Sequence, residues 1–177
     1  TLTLLAVASA LPVLILTRRS ESLASASSRA DDALASERRM LRTLIDNLPD
    51  LIYVKDAQCR FLLANVAVAK LMGTTPEKPL GKSDFDFYPA ELATQYSNDE
   101  LDVMRAGQPL LNLEEAGLDP AGNKISLLTS KVPLRDENGQ VIGILGIGRD
   151  ITARVKVEAE VRAAREQAEG AKSAKSK

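Results

Sequence analysis

A chain of 177 residues with 45% hydrophobic content is long enough for one core of ordinary size plus extensions, and its formal net charge of −1 offers no basic excess to a polyanion, so nucleic acid is not an expected partner. Histidine is absent, which removes imidazole ligation of a metal or haem, Ser-His and Cys-His nucleophiles, and a phospho-accepting histidine within this chain. Cys59 stands alone, so neither an intrachain disulfide nor a multi-cysteine metal site is possible.

The chain begins "TLTLLAVASALPVLILTRR", an uncharged run from Thr1 to Thr17 followed by Arg18 and Arg19. It is slightly short for a membrane span. The charges follow the apolar run instead of preceding it, which argues against a signal-peptide core. Residues 1–19 are read as a truncated transmembrane helix with its arginines on the cytoplasmic side, a buried helix being the plain alternative. This reading puts the protein in the inner (cytoplasmic) membrane, with the remaining chain in the cytoplasm.

Over 20–48, Leu23, Ser27, Ala30, Leu34, Glu37, Leu41, Leu44 and Leu48 recur at spacings of four and three. That pattern predicts a helical coiled-coil connector, weak where Ser27 and Glu37 interrupt the seam and firmer toward the globular part. Pro49 ends it. "DLIYVKD" and "CRFLLAN" then read as a hairpin of two short strands, and "NVAVAKLMG" as a short helix closed by Gly73. "TTPEKPLGKSDFDFYP" is dense in turn residues. After Pro89 a helix is expected with Leu92, Tyr96, Leu101 and Met104 near one face and Gly107 as its stop. Three strands close the domain, "PLLNLEEAGL", "KISLLTSKVPL" and "QVIGILGIG", joined by "DPAGN" and "DENGQ".

Two strands, several short helices and a three-stranded meander predict an α+β fold: a five-stranded antiparallel sheet with short helices on one face, flanked by the N-terminal transmembrane and coiled-coil helices and a C-terminal coiled-coil helix. The last strand is apolar on both faces, with Val141, Leu145 and Ile147 on one and Ile142 and Ile144 on the other, so its outer face asks for a cover. Beyond Thr152, Val157, Val161, Ala164, Ala168 and Ala171 repeat the four-three spacing. Asp150 and Thr152, at the strand-to-helix junction, are good capping types able to accept from first-turn amides, a role worth about 1 kcal/mol.

Together, "LIDNLPDLIYVKD", "LGKSDFDFYP" and "VPLRDENGQVIGILGIGRDIT" resemble the PAS sensor domains over roughly Met40 to Thr152. The resemblance implies a PAS domain at 49–152 and an output coiled-coil helix at 153–177, with Asp150 and Thr152 passing a signal from sheet to helix. The tail "EAEVRAAREQAEGAKSAKSK" is similar to the connector that leads into the histidine-bearing helix of many hybrid sensor histidine kinases. A diguanylate cyclase could follow a similar tail.

Other strings carry less. "QCRFLL" around Cys59 is similar to the adduct-forming string of the flavin-binding LOV branch, but it is expected in the second strand, whereas the LOV cysteine lies on a helix. "GILGIG" has the wrong spacing and position for a dinucleotide fingerprint and reads as packing space. Asp84 and Asp86 lack further carboxylates at metal-ligand spacing, so no metal is expected. Glu114 and Glu115, adjacent on a strand, point to opposite faces and cannot act as an acid-base pair.

The expectation is a membrane-bound PAS module that senses or relays a signal, performs no chemistry itself, forms a parallel homodimer, and drives a downstream kinase or cyclase. A histidine kinase cut before its phospho-acceptor helix is favoured; the alternatives are the sensor of a diguanylate cyclase or a ligand-free dimerisation spacer. The candidate pocket lining is Tyr53, Phe61, Met72, Tyr96, Leu101, Met104, Leu113 and Leu128. The ligand is left open, with neither His-ligated haem nor a flavin adduct expected.

Overall fold

A computed structural model describes Ser25 and residues 27–175, with side chains described as far as Glu169. The chain divides into two compact units, one ending at Leu44 and one beginning at Ile45. Residues 27–46 form a helix, α1, and the seam positions Leu34, Leu41 and Leu44 are exposed on it. Among the described residues no helix is long and apolar enough to cross a membrane. The span expected at 1–19 lies outside the described residues.

In the second unit the elements run β1 (Leu51–Asp56), β2 (Phe61–Ala64), α2 (Val66–Leu71), a single 3-10 turn (Asp84–Asp86), α3 (Ala90–Ala106), β3 (Leu110–Leu118), β4 (Lys124–Arg135), β5 (Val141–Asp150) and α4 (Thr152–Lys175). The five strands form one antiparallel sheet in the order β2-β1-β5-β4-β3. The first and last strands therefore meet at its centre.

The hairpins β1–β2, β3–β4 and β4–β5 close on one shared loop design. In each, an aspartate side chain (Asp56, Asp119, Asp136) accepts from the backbone amides two and four residues on, and its own amide donates to the carbonyl four residues on. The fourth loop residue has φ of 82° at Gly122 and 79° at Gly139, where glycine suffers no Cβ clash, and 57° at Cys59, where the loop carries a side chain instead. Cys59 thus sits in the hairpin turn and not, as expected, in the second strand. The turn is fixed by the Asp56 side chain before the ladder of β2 begins.

Register sets the faces. The pairs Leu51↔Gly148, Tyr53↔Gly146 and Lys55↔Ile144 bring β1 and β5 together on the helix-covered side, continued on β4 by Thr129 and Lys131. A Cβ on Gly146 would lie 2.1 Å from the Tyr53 ring, so the ring rests directly on the bare backbone. This is the packing space that the glycine-spaced run provides. On the opposite side Ile52, Val54 and Leu145 are half-buried, while Val132 is 37% and Ile147 43% exposed.

Helix α3 ends at Gly107 in the left-handed conformation (φ 64°). Its buried stripe is Ala93, Tyr96, Glu100 and Val103, not the stripe through Leu92, Leu101 and Met104 that apolar periodicity suggested. The difference has one cause: Glu100 faces the core because a buried lysine meets it there.

Candidate functional site

Between the sheet and α2, α3 and the 3-10 turn lies a cavity of about 50 Å³. Tyr53, Phe61, Met72 and Tyr96, all expected at the pocket, line it together with Tyr88, Glu100 and Glu115. Leu101, Met104, Leu113 and Leu128 are half-buried and do not line it. Edge-to-face ring contacts join Tyr53 to Phe61 at 5.9 Å, Phe61 to Phe87 at 6.5 Å and Tyr88 to Tyr96 at 5.5 Å. The Tyr96 hydroxyl donates to the Ala116 carbonyl at 2.9 Å, tying α3 to the edge strand β3.

Charge inside this core was not legible in the sequence. Lys55 and Lys131, each 1% exposed, lie on the inner face of the sheet. Lys55 Nζ donates to Asp84 Oδ2 and, at 2.6 Å, to Glu100 Oε1, and stands 4.4 Å from the Phe61 ring centre. Lys131 Nζ pairs with Glu115 at 3.2 Å and with Asp99 at 3.5 Å. Each lysine thus has carboxylate partners and an aromatic face, which is what a buried ammonium requires. Burial works against the charge on Lys55, but Glu100 and Asp84 outweigh it and lift its pKa above the ordinary value. Burial, then the charges of Glu100, Glu115 and Asp84, push the Tyr53 hydroxyl well up, so the phenol stays neutral.

Asp84 is therefore a core ion-pair partner, while Asp86 closes the 3-10 turn by accepting from the Ser83 amide at 2.9 Å. Glu114 and Glu115 do point apart: Glu115 meets Lys131 inside, and Glu114 meets Arg154 of α4 at 2.9 Å outside. Burial, then the Glu100 charge, raises the Cys59 thiol to about 11, which keeps it protonated and a poor nucleophile at neutral pH.

Two junctions frame this core. Upstream, Asn65 is fully buried and uses its whole amide. Its Nδ2 donates to the Ile45 and Asp50 carbonyls, both at 2.9 Å, and its Oδ1 accepts from Ile52 and Val68 amides, both at 3.1 Å. An asparagine ahead of an apolar helical run was the available signal, and only its capping half is readable from sequence. Downstream, Ile151 N donates to the Ser126 carbonyl at 2.9 Å, and Ser126 N donates to Thr152 Oγ1 at 2.9 Å. The threonine hydroxyl takes the place of a backbone acceptor as the chain leaves the ladder for α4. Asp150 Oδ1 accepts from Thr152 N at 2.8 Å, the first-turn contact expected of it. Thr152 departs from expectation: its hydroxyl ties the helix start to β4 instead of capping the helix.

A one-sided α+β sheet domain with an enclosed ionic core and a last strand that continues into a helix is the class these features define. The chain belongs to the PAS fold family, whose model matches residues 45–156. The methanogenesis regulatory histidine kinase FilI of Methanothrix harundinacea is 36% identical over 119 residues, which cover 67% of this chain and 13% of that protein. The virulence sensor protein BvgS of Bordetella parapertussis is 30% identical over 149 residues, covering 83% of this chain and 12% of that protein. The structure of the PAS domain from Bordetella pertussis BvgS superposes with a TM-score of 0.55 at 27% identity, covering 75% of this chain and 98% of that one. The chain thus spans 13% and 12% of the length of these two curated relatives, and is a PAS sensory domain related to sensor histidine kinases.

Proposed function

We propose that this domain relays a signal from an upstream segment to a histidine kinase output, in a protein anchored in the inner membrane by the apolar run at 1–19, with the domain on the cytoplasmic side and paired as a homodimer. A diguanylate cyclase is the alternative output. The observation that carries the relay is the pair of hydrogen bonds at Ser126, whose carbonyl accepts from Ile151 N and whose amide donates to Thr152 Oγ1, through which a shift of β4 against β5 acts directly on the first turn of α4. Homodimerisation is supported by the exposed seam residues Leu34, Leu41 and Leu44 on α1 and Val157 and Val161 on α4.

A cavity of about 50 Å³ is far below the roughly 300–1,000 Å³ of ordinary small-molecule pockets. This favours a relay with a filled interior over a receptor for a large ligand. The test replaces Asp150 and Thr152 together with alanine in the full-length parent kinase. Basal or stimulated autophosphorylation should change while the domain stays folded, because a shift of a few kcal/mol moves a two-state signalling equilibrium. Unaltered activity in a protein of normal melting behaviour would reduce the two residues to local ties.

A further inference from the structure

Among the described residues, Glu100 Oε2 is the buried side-chain oxygen without a hydrogen-bond partner, although Glu100 is 1% exposed and its Oε1 is engaged by Lys55. The titratable groups around it come from several parts of the sheet domain and from α3 itself, while β5, also packed on α3, presents only Ile144 and glycines there. These titratable groups are Lys55 and Tyr53 from β1, Cys59 from the first hairpin loop, Asp84 from the 3-10 turn, Glu115 from β3 and Lys131 from β4, with Tyr96 on α3 itself. Two ammoniums, Lys55 and Lys131, face three buried carboxylates, Asp84, Glu100 and Glu115. One negative charge is left over in a core that bulk solvent does not reach, beside a cavity of about 50 Å³. The half-exposed Asp99 adds to the deficit and does not relieve it.

We propose that Glu100 is a proton-binding site of this domain: the resting fold carries a proton on Oε2, and its release loosens α3 from β1. The proton cancels the surplus charge and leaves Oε1 free to hold Lys55. Burial, offset in part by Lys55, raises the Glu100 carboxyl above its ordinary value, in the same direction. After ionisation Glu100 and Asp84 compete as full charges for one ammonium. The site is next to the output path, since β1, which carries Lys55, is the direct neighbour of β5. Between the ordinary and the raised pKa, each pH unit shifts the balance of tight and loosened forms up to tenfold. The proton site stands on core geometry alone; its effect on output rests on the relay proposed above.

The sign follows from linkage. With a raised folded pKa, the native state holds more protons than the unfolded chain above about 4.5, so stability falls as pH rises and levels off beyond the folded pKa. Glu100→Gln mimics the protonated form. From about pH 5 upward, the melting temperature of the wild-type chain should drop relative to E100Q by roughly 4–8 °C per pH unit until the folded pKa is passed. Parallel pH profiles in the two proteins would overturn the proposal. A second measurement needs no variant: with carbon-13 glutamate labelling, the infrared spectrum should contain a label-shifted protonated-carboxyl band that persists above the ordinary carboxylate pKa and vanishes at higher pH. Absence of that band also overturns it. In the full-length kinase, output should depend on pH in wild type and lose that dependence in E100Q. A band present with output indifferent to pH would sink the relay reading and not the proton site.

Discussion

The two ends of the sheet domain, from Ile45 to Asp50 and from Asp150 to Thr152, are held with opposite degrees of commitment. Upstream, one side chain with no solvent exposure gathers Ile45, Asp50, Ile52 and Val68, and Asp46 adds a bond to the Val66 amide at 3.1 Å. Downstream, Asp150 is exposed and Thr152 half-buried, each side chain making one bond, and the charged ties Arg149–Asp50 and Arg154–Glu114 lie at the surface. Buried and saturated contacts open only with the whole fold; exposed ones open locally. The start of the sheet domain is thus held firmly, and its exit into α4 loosely.

The comparison breaks most visibly at Asn65. Asn65→Leu keeps the shape and strips partners from two amides and two carbonyls, so denaturant unfolding should show a loss of about 3 kcal/mol or more. A loss below about 1 kcal/mol would mean that the start of the sheet domain is held no more firmly than its exit. Thr152→Val should cost about 1 kcal/mol, since Ser126 N loses its acceptor at a site partly open to water. Hydrogen exchange sharpens the point: the first-turn amides of α4 should exchange faster in T152V while those of β1 keep their protection.

The smallest effect belongs to Arg149, whose guanidinium is exposed and holds Asp50 through two bonds of 2.8 Å. Arg149→Ala should lower stability only slightly, as expected of an exposed ion pair screened by solvent. The arginine hydrogen bond lowers the Asp50 pKa, so the contribution is present above the ordinary carboxylate value and lost as pH falls through the lowered one. Melting curves of wild type and R149A should therefore converge in acid. A constant gap would assign the effect to packing of the arginine stem.

The elements of the sheet were legible because strand runs, loop aspartates and glycines are local signals, and the PAS match extended them to topology. The pocket was legible by halves. Tyr53, Phe61, Met72 and Tyr96 follow from aromatic and apolar character on strands, at the end of α2 and on α3. Leu101 and Met104 were drawn from the wrong side of α3, because a stripe read by hydrophobicity passes over Glu100. Lys55 and Lys131 look like ordinary polar positions of a half-solvated sheet; their burial depends on carboxylates from Asp84, Glu100 and Glu115, which no local window contains. Thr152 shows the same limit, since its partner Ser126 lies on another strand.

The central position of β1 also governs the order in which the molecule can be made. β1–β2, β3–β4 and β4–β5 are hairpins of adjacent segments, and each closes on its own aspartate loop. The β1–β5 ladder is different, for Tyr53 must find Gly146 across nearly the whole domain. Such non-local pairing bears the largest loop-closure entropy and is the slow step of a topology of this kind. During synthesis the first hairpin must wait, one edge open, until the last strand has left the ribosome. The residues that complete the sheet immediately precede α4, so the helix that leads out of the domain emerges just as the fold becomes able to close.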